Sequence, residues 1–158
     1  MKAVSNKGRW MAGAAVVPGL AALAVFGVFH FNRESGRLLR PDDTRLVAQG
    51  RQVYAARCAA CHGQRLEGQP NWRSPGPDGR FPAPPHDASG HTWHHPDALL
   101  SRITRDGVAA VAGDPNYRTA MPIYRGLMSD EDIVAVLSWI KSRWPEDVRA
   151  KHDQINAQ

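Results

Sequence analysis

The chain has 158 residues, room for one domain of ordinary size with short extensions. Charged residues at 22% and hydrophobic residues at 42% exclude a disordered composition. The formal net charge is +5, yet the basic residues are scattered and none form a run interleaved with aromatics, which argues against nucleic acid as a partner.

Residues 1–9 carry Lys2, Lys7 and Arg9 and no acid. An apolar run follows from Trp10 to Phe31, interrupted only by Pro18, Gly19 and His30. At about 20 residues and about 1.5 Å per residue it matches a hydrocarbon core of roughly 30 Å, so a membrane anchor is expected at 10–31. A cleaved signal peptide is the rival, with Ala22-Leu23-Ala24 as its small-residue site. Val25 to Phe29 continue the apolar run past that site, which favours an uncleaved anchor. Basic residues flank the run on both sides, so charge alone leaves its orientation open.

Residues 32–42 read as a polar linker, at most ~35 Å long when extended. A helix is expected from Asp43 to about Ala60, capped by Asp42 or Asp43. Leu46, Val47, Gly50, Val53 and Tyr54 fall on one of its faces. Residues 63–95 contain six Pro and five Gly, which predicts an irregular stretch long enough to be functional. Pro96 opens a short helix with Leu99, Leu100 and Ile103 inward and Gly107 as its stop. A loop is expected over 108–120. The clearest helix starts at Ser129, where Ser129-Asp130-Glu131-Asp132 resembles a capping box and places three acids in the first turn. Ile133, Val136, Leu137 and Ile140 continue it, and Trp144-Pro145 ends it. Residues 145–158 read as a polar, poorly anchored tail or helix. No internal repeat is present.

The only two cysteines lie in Cys58-Ala59-Ala60-Cys61-His62, the C-x-x-C-H pattern of covalent haem attachment. Two thiols one helical turn apart reach two vinyl groups of one haem, and the adjacent His offers a ring nitrogen to the iron. A thioredoxin-like dithiol expects a strand before the motif, and here a helix precedes it. A four-cysteine zinc site lacks two thiols, and a Cys2His2 site has to borrow from histidines elsewhere. Met is a common ligand opposite His in such sites. Met121, in a loop before Pro122, is preferred for that role over Met128, which precedes the Ser129 cap and suits a hydrophobic staple.

Together these residues resemble the class I cytochrome c family over residues 43–144. The likeness rests on Gly50 and Tyr54, Cys58-Ala59-Ala60-Cys61-His62-Gly63, Met121-Pro122, Leu127 through Asp132, and the helix through Trp139. It implies an all-α domain around one haem c, here preceded by a single N-terminal transmembrane helix. It implies that the N-terminal helix crosses the C-terminal one, with Gly50 permitting close approach and Tyr54 meeting Val136, Trp139 and Ile140. It also implies that a proline carbonyl, assigned to Pro84 in Ala83-Pro84-Pro85-His86, accepts a hydrogen bond from His62. Haem assembly in this family takes place outside the cytoplasm. Residues 1–9 are then a cytoplasmic tail, and the haem domain stands on the periplasmic side of the inner membrane. A His62/Met121 pair leaves iron no open position, so the expectation is an electron carrier serving membrane or periplasmic redox proteins, not an enzyme, unless it is the electron-transfer subunit of one.

Residues 86–95 depart from the family. His86, His91, His94 and His95 crowd together with Trp93, dense enough to bind copper or zinc. The alternatives are packing beside the haem, contacts to its propionates, capping of the helix at Pro96, or a different iron ligand. Trp72 and Arg73 are candidates for propionate neighbours or for loop packing. A second functional class therefore stays open, a periplasmic metal-handling (copper) or redox-sensing protein that uses this cluster beside the haem.

Overall fold

The structure, a computed structural model, describes residues 37–158. The expected anchor at 10–31 lies outside them. Among the described residues no helix is long and apolar enough to cross a membrane. Among the described residues six α-helices follow in order: α1 (Thr44–Arg57), α2 (Ala59–His62), α3 (Asp97–Asp106), α4 (Val108–Ala112), α5 (Asp130–Ser142) and α6 (Glu146–Ile155), with a short 3₁₀ turn at Thr92–His94 between α2 and α3. Among the described residues β pairing is limited to two isolated bridges, Phe81 with Thr119 and Arg125 with Met128.

The frame is the crossing of α1 and α5. Asp43 caps α1, its Oδ1 accepting the Leu46 N–H at 3.0 Å. Leu46, Gly50 and Tyr54 make up its buried face. A Cβ on Gly50 would overlap the carbonyl oxygen of Ala135, so only glycine lets the two backbones meet this closely. One turn on, the Tyr54 ring packs on Trp139 with centroids 4.5 Å apart. Tyr54 shares one core cluster with Val136 and Ile140, as the family resemblance implies. Ser129 caps α5 by accepting the Asp132 N–H at 3.0 Å. Asp132 in turn accepts Gln49 Nε2 at 2.8 Å, which ties the start of α5 to α1.

Four expectations are corrected. The first helix does not run to Ala60: it stops at Arg57, and Cys58 separates it from the one-turn α2. Residues 108–120 are not all loop, because α4 forms between Gly107 and Gly113, two glycines at positive φ. Residues 37–42 are not a free linker. Leu39 is 1% exposed, its N–H donates to Asp97 Oδ2 at 3.0 Å, and the Arg40 N–H donates to Ser138 Oγ at 2.9 Å. The C-terminal segment is well anchored: Val148 and His152 of α6 are buried.

The reason for that last correction is a buried polar group invisible to periodicity. Lys141, 1% exposed, donates to Asp153 Oδ1 at 2.7 Å and lies 3.9 Å from Asp97 Oδ1. His152 Nε2 stands 3.4 Å from the same Asp97 oxygen and 3.0 Å from the His95 carbonyl oxygen. Asn156 Oδ1 accepts the Asp97 N–H at 2.8 Å. This group ties the chain at Leu39, α3, α5 and α6 together, and each buried charge is compensated by another.

Candidate cofactor-attachment site

Helix α1 delivers the chain to Cys58 with its carbonyls still in helical register. The N–H groups of Cys61 and His62 both turn back to the Cys58 carbonyl oxygen, at 3.1 and 2.9 Å. That single turn puts the two thiols on one side of the backbone, three residues apart. Both are free; Cys58 is half-buried and Cys61 exposed. Burial first, and then the neighbouring Cys61, push the Cys58 thiol up to about 11. Such a thiol is protonated at neutral pH.

The turn ends at Gly63, whose φ of 81° suits glycine. The Gly63 carbonyl accepts the Tyr54 hydroxyl at 2.8 Å, so the helix that supplies the cysteines also fixes the exit from the motif. His62 is buried, and its Nδ1 lies 2.9 Å from the Pro84 carbonyl oxygen. A carbonyl can only accept, so Nδ1 carries the proton and Nε2 keeps its lone pair. Burial holds the imidazole below its ordinary pKa, which keeps it in the neutral form that ligates a metal. Metal-bound histidines almost always donate their other nitrogen in this manner.

Pro84 is placed by several bonds. Gln69 and Ala83 are joined twice, Gln69 N–H to the Ala83 carbonyl and Ala83 N–H to Gln69 Oε1, each at 2.8 Å. The His86 N–H donates to the Leu66 carbonyl at 2.8 Å, and Trp144 Nε1 donates to the His86 carbonyl at 2.7 Å. Gly68 is pressed so close that a Cβ there would overlap the Pro85 nitrogen. The irregular stretch after the motif therefore folds back as a shelf beside His62.

Met121 is half-buried, its N–H donating to Thr119 Oγ1 at 3.0 Å. It lines an open cleft of about 400 Å³ with Gly107, Val108, Tyr117 and Ile123, and with Arg80 and Arg118 at the margin. Met128 instead packs against the hydrophobic core, as a staple residue does. The Met121 loop is pinned by Tyr124, which sequence reasoning missed. The Tyr124 hydroxyl donates to the Arg57 carbonyl at 2.8 Å, directly before Cys58, and the Arg125 N–H donates to the Arg105 carbonyl at 2.8 Å. Burial, and then the nearby Cys58 and Cys61, raise the Tyr124 pKa. An aromatic three residues after the candidate methionine was the one available signal.

The four histidines after Pro85 do not converge. His86 stacks on His62, ring centroids 4.0 Å apart, and pairs through Nδ1 with Thr92 Oγ1 at 2.8 Å. It stands beside His62, its ring laid on the face of that ring. His91 stacks on Trp72 at 5.0 Å, and Arg73 lies 4.1 Å over the Trp72 ring. His94 stacks on Trp93 at 3.6 Å, while His95 meets His91 edge-on at 5.4 Å. Among the described residues no group of three or more His, Cys, Asp or Glu is arranged to hold a metal ion. His86 and His94 each lie in a stack of their own, while His91, itself stacked on Trp72, also meets His95. Trp72 and Arg73 are likewise engaged with His91 and with each other.

Two reduced thiols on one turn, and beside them a neutral imidazole with Nε2 free, fit a covalently held haem. They do not fit a thiolate metal cluster, which needs further sulfur donors. A family model described as Cytochrome c matches residues 47–144. No solved structure matches the chain.

Proposed function

The chain belongs to the cytochrome c family, and on that premise we propose that it is a membrane-tethered monohaem electron carrier with His62 and Met121 as axial ligands. A domain of this family implies haem c and haem-based electron transfer. When bound, the haem iron supplies a one-electron couple between its ferric and ferrous states. Cys58 and Cys61 anchor the group through thioether bonds. His62 presents Nε2, and Pro84 holds the opposite edge of the ring. Met121 would supply the second protein ligand to the iron, which would leave no coordination site for a substrate and favour transfer over catalysis.

The observation that carries this reading is the His62–Pro84 bond. It dictates the tautomer in which Nε2 keeps its lone pair free for iron. The preference for Met121 over Met128 is supported by the burial of Met128 against the core. Tethering is supported by the apolar run 10–31, and the incorporation of Arg37 onward into the fold leaves residues 32–36 as the intervening chain. Haem attachment outside the cytoplasm then puts residues after about Arg33 on the periplasmic side of the inner membrane. Its donors and acceptors are membrane complexes or periplasmic redox proteins, and tethering raises their effective concentration at the surface.

Acid–acetone extraction of the purified protein tests the core of the proposal. The colour is expected to stay with the polypeptide, and Cys58→Ala to reduce holoprotein yield sharply. Colour that passes into the solvent would refute covalent attachment.

A further inference from the structure

We propose that His86 is a positioning residue for His62: its ring, stacked on the ring of the axial histidine, sets the orientation in which that imidazole meets the iron and so tunes the redox equilibrium. The inference rests on His62 being the axial ligand. The two rings lie nearly parallel, with centroids 4.0 Å apart and planes inclined by 20°. The Nδ1 bond from His62 to Pro84 holds only one edge of the ring. A ring held at one edge still rocks about that bond, and a second ring laid on its face stops the rocking.

His86 is itself held firmly enough to act as a stop. Its N–H donates to the Leu66 carbonyl at 2.8 Å, its carbonyl accepts Trp144 Nε1 at 2.7 Å, and its Nδ1 pairs with Thr92 Oγ1 at 2.8 Å. Thr92 is buried, and the turn that returns it to His86 closes tightly at Gly90, where a Cβ would overlap the Pro85 carbonyl oxygen. Pro84, which takes the edge of His62, and His86, which covers its face, are two residues apart in one rigid segment. The segment therefore fixes both tilt and rotation of the ligand ring. Partners behind a ligand orient it and change its donor strength, which shifts the potential of the metal.

The test uses the full-length holoprotein with His86→Leu, His86→Phe and Thr92→Val. The readouts are the paramagnetic NMR shift pattern of the ferric haem methyls, which reports the plane of the axial ring, and the midpoint potential. Denaturation midpoints serve as the control for a purely structural effect. His86→Leu is expected to rearrange the methyl shifts and to change the ferric/ferrous equilibrium by up to about tenfold, or about 59 mV for one electron. His86→Phe keeps the stack and most of the wild-type pattern. Thr92→Val releases the His86 ring and moves both readouts in the direction of His86→Leu, by less. Wild-type shifts and potential in holo His86→Leu overturn the inference, whatever the change in stability. If that variant fails to mature, the ferrous wild-type protein decides. A nuclear Overhauser contact between the His62 and His86 rings is expected, and its absence overturns the inference. Wild-type protein without covalent haem instead overturns the reading of the site itself.

Discussion

At the residue scale, the proposed ligation of the iron rests on one hydrogen bond and one sulfur. His62 donates Nδ1 to Pro84, so its tautomer is dictated by a backbone carbonyl, an acceptor that no side-chain substitution removes. Met121 and Met128 offer the same thioether from different settings, one beside an open cleft and one against the core. Met121→Ala is expected to abolish the weak far-red absorbance of a sulfur–iron bond in the ferric protein and to lower the potential, since Met ligation raises it. Met128→Ala is expected to leave both in place and to cost about 1–3 kcal/mol of stability, as loss of a half-buried packed side chain does. Absorbance spectra and denaturation curves of the two variants separate these roles. The reverse pattern would assign the ligand to Met128.

At the element scale, two contacts decide whether the site is assembled. The α1–α5 crossing needs Gly50, because any Cβ there collides with the Ala135 carbonyl. Gly50→Ala is expected to destabilise the holoprotein by about 1–3 kcal/mol or more, the cost of overpacking, read as a shift in the urea midpoint. Better helix propensity cannot offset this, being worth only ~1 kcal/mol. The docking of α6 depends on Lys141, which compensates Asp97 and Asp153. Lys141→Ala leaves the Asp97 carboxylate buried without its cation and is expected to cost about 3–5 kcal/mol. Lys141→Ala at wild-type stability in chemical denaturation would show that α6 is held by its apolar residues alone.

At the scale of the whole molecule, acid stability follows from the buried imidazoles. Burial, and then the nearby Lys141, lower the pKa of His152 from 6.5. Desolvation is likewise the main cause that lowers the half-buried His86 and His95. Below about pH 6.5 the unfolded chain takes up protons that the folded protein refuses, so unfolding is favoured. Stability is therefore complete above about pH 6.5 and is lost as the pH falls toward the depressed folded values. Urea midpoints of the holoprotein are expected to be level from pH 7 to 8 and to decline steadily from pH 6.5 to 5. A midpoint that stays constant down to pH 5 would mean that these rings gain compensating partners on protonation. Tethering belongs to the same scale. A carbonate wash is expected to leave the protein in the membrane, with the mature chain retaining residues 10–31; soluble protein starting at Val25 would identify the run as a cleaved signal.

Much of the site was legible in order of residues because its chemistry is local. Cys58, Cys61 and His62 are placed by a single turn of backbone, and covalent spacing does not depend on the rest of the fold. The same holds for the Asp43 and Ser129 caps, whose bonds span three residues. The α1–α5 crossing was also anticipated, through the family pattern of Gly50 and Tyr54. What only tertiary structure decided is everything that joins distant segments by polar contact. The burial of Leu39, the Lys141–Asp97–His152–Asp153 group and the bond from Tyr124 to Arg57 leave no periodic trace, because polar residues read as exposed until a partner is known. The histidines show the difference most clearly. Their density suggested shared coordination of a metal, whereas the backbone lays His86, His91 and His94 on the rings of His62, Trp72 and Trp93 and leaves His95 edge-on to His91. Residue order determines which donors are near one another in sequence, whereas the backbone path determines where their lone pairs point.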